Sequence, residues 1–378
     1  MPLDPNPLSL ALGRARADGL EVLDLTESNP TRAGLSWSPE VLHGALQDPA
    51  LARYEPHPFG HTRARESIAE HAFFEWIPRP DHIVLTSGTS EAYSYLLRLL
   101  CDQGDEVLVP EPGYPLLDHV ARLEGVVLRG YPLAYDGAWH VDLDALRARV
   151  TDKCRAIVVV NPNNPTGNYL KRSELEEMTR LDVPIISDEV FSAFPLLEDS
   201  SRVATILSAQ GPLVFALGGL SKMLALPQVK LSWIAVDGPT HRVQDALTRI
   251  DLIADTFLSV STAAQIAVPS LLAQRSLIQQ RIFERLEGAL ETLHRILADS
   301  PATVFRVEGG WSAVLRLPNT RSELDWVLAL LEEDRVLVHP GWFYDFPSEP
   351  FVVLSLMTPP AMFSEGVSRL ERRVRAFA

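Results

Sequence analysis

The 378-residue chain is long enough for two packed lobes, and its 46% apolar and 22% charged residues are an ordinary balance for a globular protein. A formal charge of −15 argues against a surface made to embrace nucleic acid or anionic lipid, so a bound anion would need a local cluster of cations and backbone amides. Two cysteines, Cys101 and Cys154, make no disulfide framework, and no signal peptide or bilayer-length apolar run is legible, so a soluble, cytoplasmic protein with no membrane partner is expected.

In chain order, the first 45 or so residues are rich in turn formers and are expected to pack with a small lobe built later in the chain. His57 and His61 stand four apart, a spacing that suits a metal on a helix, but Pro58 and Gly60 between them predict a turn. From His82 onward, short β-branched runs alternate with helical patterns. The runs are HIVLTSG (82–88), EVLVPEPG (106–113), GVVLRGYP (125–132), AIVVVNP (156–162), VPIISDEV (183–190), LVFALGG (213–219) and LSWIAVDG (231–238). Several are apolar on both faces, as strands covered by helices above and below must be. This predicts an α/β fold whose large domain carries a mostly parallel seven-stranded sheet between helices.

Residues 275–298 predict one long helix, with Ile278, Ile282, Leu286, Leu290, Leu293 and Leu297 along a core-facing stripe. After it come TVFRVEGGWSAVLRL, a helix near 321–334, RVLVHPGWF, EPFVVLSLM and a closing amphipathic helix, which together predict a small α+β domain. The expected division is a large domain over 46–280 and a small one over 1–45 and 281–378.

Ligands of parallel sheets sit at the carboxyl ends of the strands, so the tails TSGTSE, PEPGYP, NPNNPTG, SDEVF and GGLSK are where chemistry is expected. There is no GxGxxG, GxxxxGK[ST], HExxH or GxSxG to support a dinucleotide, P-loop, zinc-protease or hydrolase reading. In SGTSEA, Gly88, Thr89 and Ser90 open a helix whose free amides would form an anion site, although a Ser/Thr cap alone is usually only a cap. NPNNPTG is a rigid turn able to project an amide. Asp188 and Glu189 end a strand, where they could equally be solvated surface. Lys222 lies just past a buried run, where desolvation can make an amine nucleophilic. Each feature alone has a plain structural explanation; all of them at consecutive strand ends point to one site.

The order SGTSEA, EPGYP, NPNNPTG, SDEV and GGLSKxxxxPxxK resembles the class I/II aminotransferases, fold-type I enzymes that depend on pyridoxal 5′-phosphate. The likeness runs from about Leu23 to the C-terminus. It implies that Lys222 is the catalytic lysine carrying the cofactor as a Schiff base, with Asp188 partnering the pyridine nitrogen. Asn164 resembles the amide facing the ring's 3-oxygen, and Tyr114 the aromatic stacked on the ring. Gly88, Thr89, Ser90 and Ser221 would hold the phosphate, with Lys230 where the family usually has an arginine. Tyr54 resembles the tyrosine that reaches the neighbouring subunit's phosphate, implying a homodimer with shared active sites. An amino donor and an oxo acid would be the small-molecule partners, in a ping-pong cycle.

Three departures stand out. Phe191 replaces a tyrosine that usually donates to the 3-oxygen, and a phenyl ring has nothing to donate. Gly219 takes the place of a frequent phosphate-binding serine, and Lys230 offers a point charge rather than a fork. In FVVLSLM, Val353 takes the place of the arginine that clamps the substrate's α-carboxylate. Arg32, Arg316 and His339 are candidate replacements, and Trp311, Trp342, Phe343 and Tyr344 are candidate pocket aromatics; each is also readable as an ordinary surface or core residue. Without the clamp, a β-lyase, decarboxylase or racemase on the same cofactor stays open beside the aminotransferase. A cofactor-sensing DNA regulator is disfavoured, because no helix-turn-helix or basic patch precedes the ESNP segment.

Overall fold

The structure, a computed structural model, describes residues 6–73, 75–348 and 350–377. The N-terminal part forms α1 (Pro7–Ala17), β1 (Leu23–Asp24), α2 (Pro39–Ala45) and α3 (Thr62–His71). Both α1 and α2 begin with a polar cap followed by proline: Asn6 accepts from the Ser9 N–H, and Ser38 from the Val41 N–H. His57 and Gly60 close the expected turn, Gly60 donating to the His57 carbonyl with φ +86°.

The middle of the chain supplies β2 (Ile83–Thr86), α4 (Thr89–Leu100), β3 (Glu106–Glu111), α5 (Leu116–Glu124) and β4 (Val127–Tyr135). It continues with β5 (Trp139–Val141), α6 (Leu143–Arg149), β6 (Cys154–Val160), α7 (Arg172–Thr179) and β7 (Ile185–Asp188). Then come β8 (Val214–Gly219), the single turn α8 (Leu220–Met223), β9 (Ser232–Asp237), α9 (Thr240–Phe257) and α10 (Thr262–Ala273). These strands form one eight-stranded sheet in the order β2-β9-β8-β7-β6-β3-β4-β5. The run from β8 to β4 is parallel, whereas β9 is antiparallel to both β8 and β2.

Seven of these strands coincide with the seven apolar runs, and the sheet gains an eighth that the pattern hid. Strand β5 is three residues long, pairs antiparallel with β4, and is secured by Trp139, which packs on Tyr135 and Phe305. Both faces of the sheet are buried. Val84, Val107, Val158, Ile186, Phe215 and Ile234 face one core, and Leu85, Leu108, Ile157, Ile185, Val214 and Trp233 face the other.

The C-terminal part adds α11 (Arg275–Ile296), β10 (Thr303–Val304), β11 (Ser312–Arg316), α12 (Glu323–Glu332), β12 (Val336–Leu337), β13 (His339–Pro340), β14 (Phe351–Ser355) and α13 (Pro360–Phe377). The expected stripe of α11 is buried at Ile278, Ile282, Leu286 and Leu293. A four-stranded antiparallel sheet runs β10-β11-β14-β13, and β1 pairs in parallel with β12. Of the N-terminal elements, α1 lies on α12, whereas α2 lies on α10.

Candidate active site

A cleft of about 570 Å³ opens where the carboxyl ends of β3, β6, β7 and β8 meet β11 and β14 of the small sheet. Gly88, Thr89, Ser90, Tyr114, Asn164, Asp188, Phe191, Ser221, Lys222 and Lys230 all line it. The structure therefore brings together ten of the eleven residues nominated from the sequence. Tyr54 is set apart: it is 80% exposed and borders a separate small depression with His57, Leu258 and Val260.

One end of the cleft is built for an anion. Glu91, in the first turn of α4, reaches back to accept from the N–H and the hydroxyl of Ser87, at 2.7 and 3.0 Å. Ser259 donates to the same carboxylate at 2.7 Å. The loop is thus fixed from behind, and no side chain caps the helix itself. The first-turn N–H groups of Thr89 and Ser90 remain for a ligand, favoured by the helix dipole. Lys230, held at a left-handed φ of +58°, supplies charge at the cleft surface. The absence of a serine at 219 has a steric reason. A Cβ on Gly219 would meet the Ser232 hydroxyl at 2.3 Å, and one on Gly218 would meet the Trp233 ring at 2.5 Å.

The middle of the cleft holds a buried carboxylate and an amide. Asp188 ends β7, accepting from the Val190 N–H and the Tyr93 hydroxyl, each at 3.2 Å. Burial pushes its carboxyl up to about 6, against the pull of Val190, Tyr93 and the charge of Lys222. Glu189 is no surface residue either: burial pushes it up to about 7, and it accepts from the Ile206 N–H at 2.7 Å. In NPNNPTG the three asparagines divide the work. Asn161 donates to the Val203 carbonyl and Asn163 to the Pro112 carbonyl, both tying the loop down. Asn164 accepts from Ser312 at 3.3 Å, which leaves its amide N–H groups for a ligand in the cleft.

Lys222 lies in α8, one turn past β8. Its ammonium nitrogen sits 5.1 Å from the Trp311 ring centre and 5.6 Å from that of Phe191, whose own rings meet edge to face. Burial among these rings lowers the amine's pKa, and the Asp188 charge only partly opposes it. The result is an amine more readily neutral than a surface lysine, and therefore more nucleophilic. Tyr114 is half exposed, on a loop anchored by the Gly113 N–H donating to the Tyr344 carbonyl at 2.9 Å.

Sequence reasoning missed Tyr93 and Ser312, which position Asp188 and Asn164. A signal existed for Tyr93: with Leu96 and Leu97 it lies on the buried side of α4, where a tyrosine must find a partner for its hydroxyl. Of the late aromatics, Trp311 and Tyr344 line the cleft, and Trp342 is 40% exposed outside it.

The donor set fits pyridoxal phosphate: an amide-rich anion site, an amide donor, a buried carboxylate and a desolvated amine share one cavity large enough for such a ligand. Among the described residues, no helix is long and apolar enough to cross a membrane.

The family described as aminotransferase class I and II matches residues 21–369. The chain is 27% identical to the alanine aminotransferase of Mycobacterium tuberculosis, over 94% of its own length and 85% of that protein. It is 26% identical to the glutamate-pyruvate aminotransferase AlaA of Haemophilus influenzae (95% and 92%), and 25% to the human tyrosine aminotransferase (93% and 80%). Among solved structures, the alanine aminotransferase from Pyrococcus furiosus shares the fold with a TM-score of 0.87 at 23% identity, covering 98% of this chain and 96% of that one. The lyase, decarboxylase and racemase alternatives are not favoured by these relatives, which carry transaminase names.

Proposed function

This chain belongs to the class I and II aminotransferases, and from that premise we propose that its cleft holds pyridoxal 5′-phosphate on Lys222 and passes an amino group from a donor to an oxo acid by a ping-pong cycle. The observation that carries the reading is the desolvated Lys222 amine sharing a cavity with the buried carboxylate of Asp188 and the free amide of Asn164.

The α4 N–H groups of Thr89 and Ser90, with Gly88, Ser221 and Lys230, would hold the cofactor's phosphate. Asp188 would face the ring nitrogen, Asn164 the ring oxygen, and Tyr114 the ring plane. When bound, the cofactor supplies an electron sink for the pair left on the substrate's Cα. The Lys222 amine would be the base that takes the Cα proton and later returns one. The rings of Phe191 and Trp311 keep water from that amine, and so keep it neutral and basic at the working pH. Phe191 has no hydrogen to give the ring oxygen, so Asn164 would serve it without help from position 191.

We place the enzyme in the cytoplasm as a homodimer, with the lobes divided near residues 46 and 280. Two free thiols, pushed up by burial to about 12 at Cys101 and about 11 at Cys154, suit a reducing compartment.

Borohydride treatment of the coloured, cofactor-loaded protein tests the central assignment. Peptide mass mapping should place the reduced cofactor on Lys222; a tag on another lysine, or a protein that takes up no cofactor, defeats the reading. Loss of the visible band on adding single amino acids and amines then ranks the donors.

A further inference from the structure

Val353 stands in the middle of β14, is 2% exposed and lines the cleft, so the small-sheet wall carries an apolar side chain where the resemblance leads one to expect arginine. The three candidate replacements separate cleanly in space. Arg32 is 69% exposed, ion-paired with Glu27 at 2.8 Å, and outside the cleft. Arg316, at the end of β11, lies with its guanidinium 6.0 Å from the Phe305 ring centre, also outside it. His339 lines the cleft.

The position of His339 is set by the sheet. In the antiparallel pairing of β13 with β14, His339 lies directly across from Val353. Directly opposed residues share a face with Cβ atoms about 4.5–5.5 Å apart, so the imidazole occupies the patch of wall beside the missing guanidinium. Its ring is fixed: Nδ1 and the Tyr344 hydroxyl are 2.9 Å apart, and Phe343 packs at 5.7 Å between ring centres. Tyr344 is itself buried, and its carbonyl accepts from Gly113 beside Tyr114, so the imidazole is tied to the loop that carries the expected stacking ring. Nε2 has no hydrogen-bond partner among the described residues. Lys222 and Lys230 are the only lysines or arginines lining the cleft among the described residues, and both are accounted for by the cofactor.

We infer that His339 reads the substrate, its Nε2–H donating a single hydrogen bond to an oxygen on the Cα substituent of the amino donor. This rests on the reading of Lys222 given above. In the tautomer this requires, the Tyr344 hydroxyl donates to Nδ1 and the ring proton stands on Nε2. Burial keeps the imidazole neutral, with Asp24 pulling the other way. The substrate therefore meets one uncharged donor in place of a charge-assisted fork. A carboxylate is then favoured over an uncharged amide only by the difference between one charged and one neutral acceptor, and the enzyme should take α-amino acids and their amides with affinities within about tenfold of each other.

The experiment uses the cofactor-loaded enzyme with two probes that cannot react because they lack a Cα proton, 2-methylalanine and 2-methylalaninamide. Binding is read by calorimetry and by the change in the visible band. Wild type should bind both within about tenfold of each other. His339→Phe should weaken both about tenfold or more, and raise KM for reacting donors with kcat little changed. His339→Gln, which keeps an N–H donor of similar reach, should restore binding to within about threefold. A His339→Phe enzyme that keeps its visible band and binds both probes as wild type does overturns the inference alone, as does a banded His339→Gln enzyme that fails to recover. A wild-type chain that shows no band removes the reading of Lys222, and this inference with it.

Discussion

Asp188 is the residue at which stability and chemistry pull apart. Its ordinary carboxyl value is 3.8, and burial raises it to about 6. Holding it ionised in the cofactor-free chain is therefore unfavourable above about pH 6, by roughly 3 kcal/mol at about 1.4 kcal/mol for each pH unit between the two values. The cost fades as pH falls toward 3.8 and is gone below it, where the carboxyl is protonated whether folded or not. Asp188→Asn keeps the shape without the charge. The cofactor-free variant should melt above wild type at pH 8, with the gap closing near pH 4, while transamination falls about 100-fold or more. Melting curves at the two pH values check this; a variant less stable than wild type at pH 8 refutes it. Lys230 shows the same tension in the backbone. A lysine at φ +58° is strained by about 1 kcal/mol, so Lys230→Gly should stabilise the cofactor-free chain while loosening the cofactor, read by thermal melting and cofactor titration. Asp188 was legible as the acidic end of an apolar run, and Lys230 only through the resemblance carried by GGLSKxxxxPxxK. Ser312 was not, and Tyr93 was legible only as a buried helix tyrosine in need of a partner, because the partners lie 148 and 95 residues away and no local pattern names such a contact.

The parallel strands were legible because several are apolar on both faces, although β4 is half-open along much of its length. Strand β5 was hidden because three residues with a polar centre, Trp139–Val141, carry no period of their own. The join between the large and small sheets was equally invisible, and it is made by Glu308, just before β11. That carboxylate is 4% exposed and accepts from the Tyr169 N–H at 3.0 Å and the Lys171 ammonium at 2.6 Å, while its carbonyl accepts from Leu196 at 2.8 Å. Beside it, a Cβ on Gly167 (φ +74°) would lie 2.7 Å from the Gly309 carbonyl, so the NPNNPTG loop and the strand lead-in touch backbone to backbone. Glu308→Ala leaves the Tyr169 N–H unpaired and Lys171 with Asp199 alone. The expected loss is about 2–3 kcal/mol, read as a lower urea midpoint. Turnover should fall too, because Trp311 follows three residues later and walls the Lys222 amine. An unchanged urea midpoint would show that the join carries no stability.

At the scale of the molecule the outstanding question is Tyr54. In its own chain it is 80% exposed and belongs to a depression bordered by Leu258 and Val260, away from the cleft that holds Lys222. Leu51, Phe257 and Leu258 are likewise exposed apolar side chains. If a second copy covers this surface, Tyr54 completes the partner's anion site rather than its own, and the particle should run at roughly 84 kDa, twice the 41.9 kDa chain. Mixing two defective chains distinguishes the arrangements. Lys222→Ala removes the amine and Tyr54→Ala the tyrosine, and each should be nearly inactive as a homodimer. In a hybrid with sites shared across the interface, one site carries both lesions and the other carries neither, so refolding the variants together should restore activity. If Tyr54 instead served its own chain, every site in the hybrid would carry one lesion. Activity would then stay at the level of the separate variants.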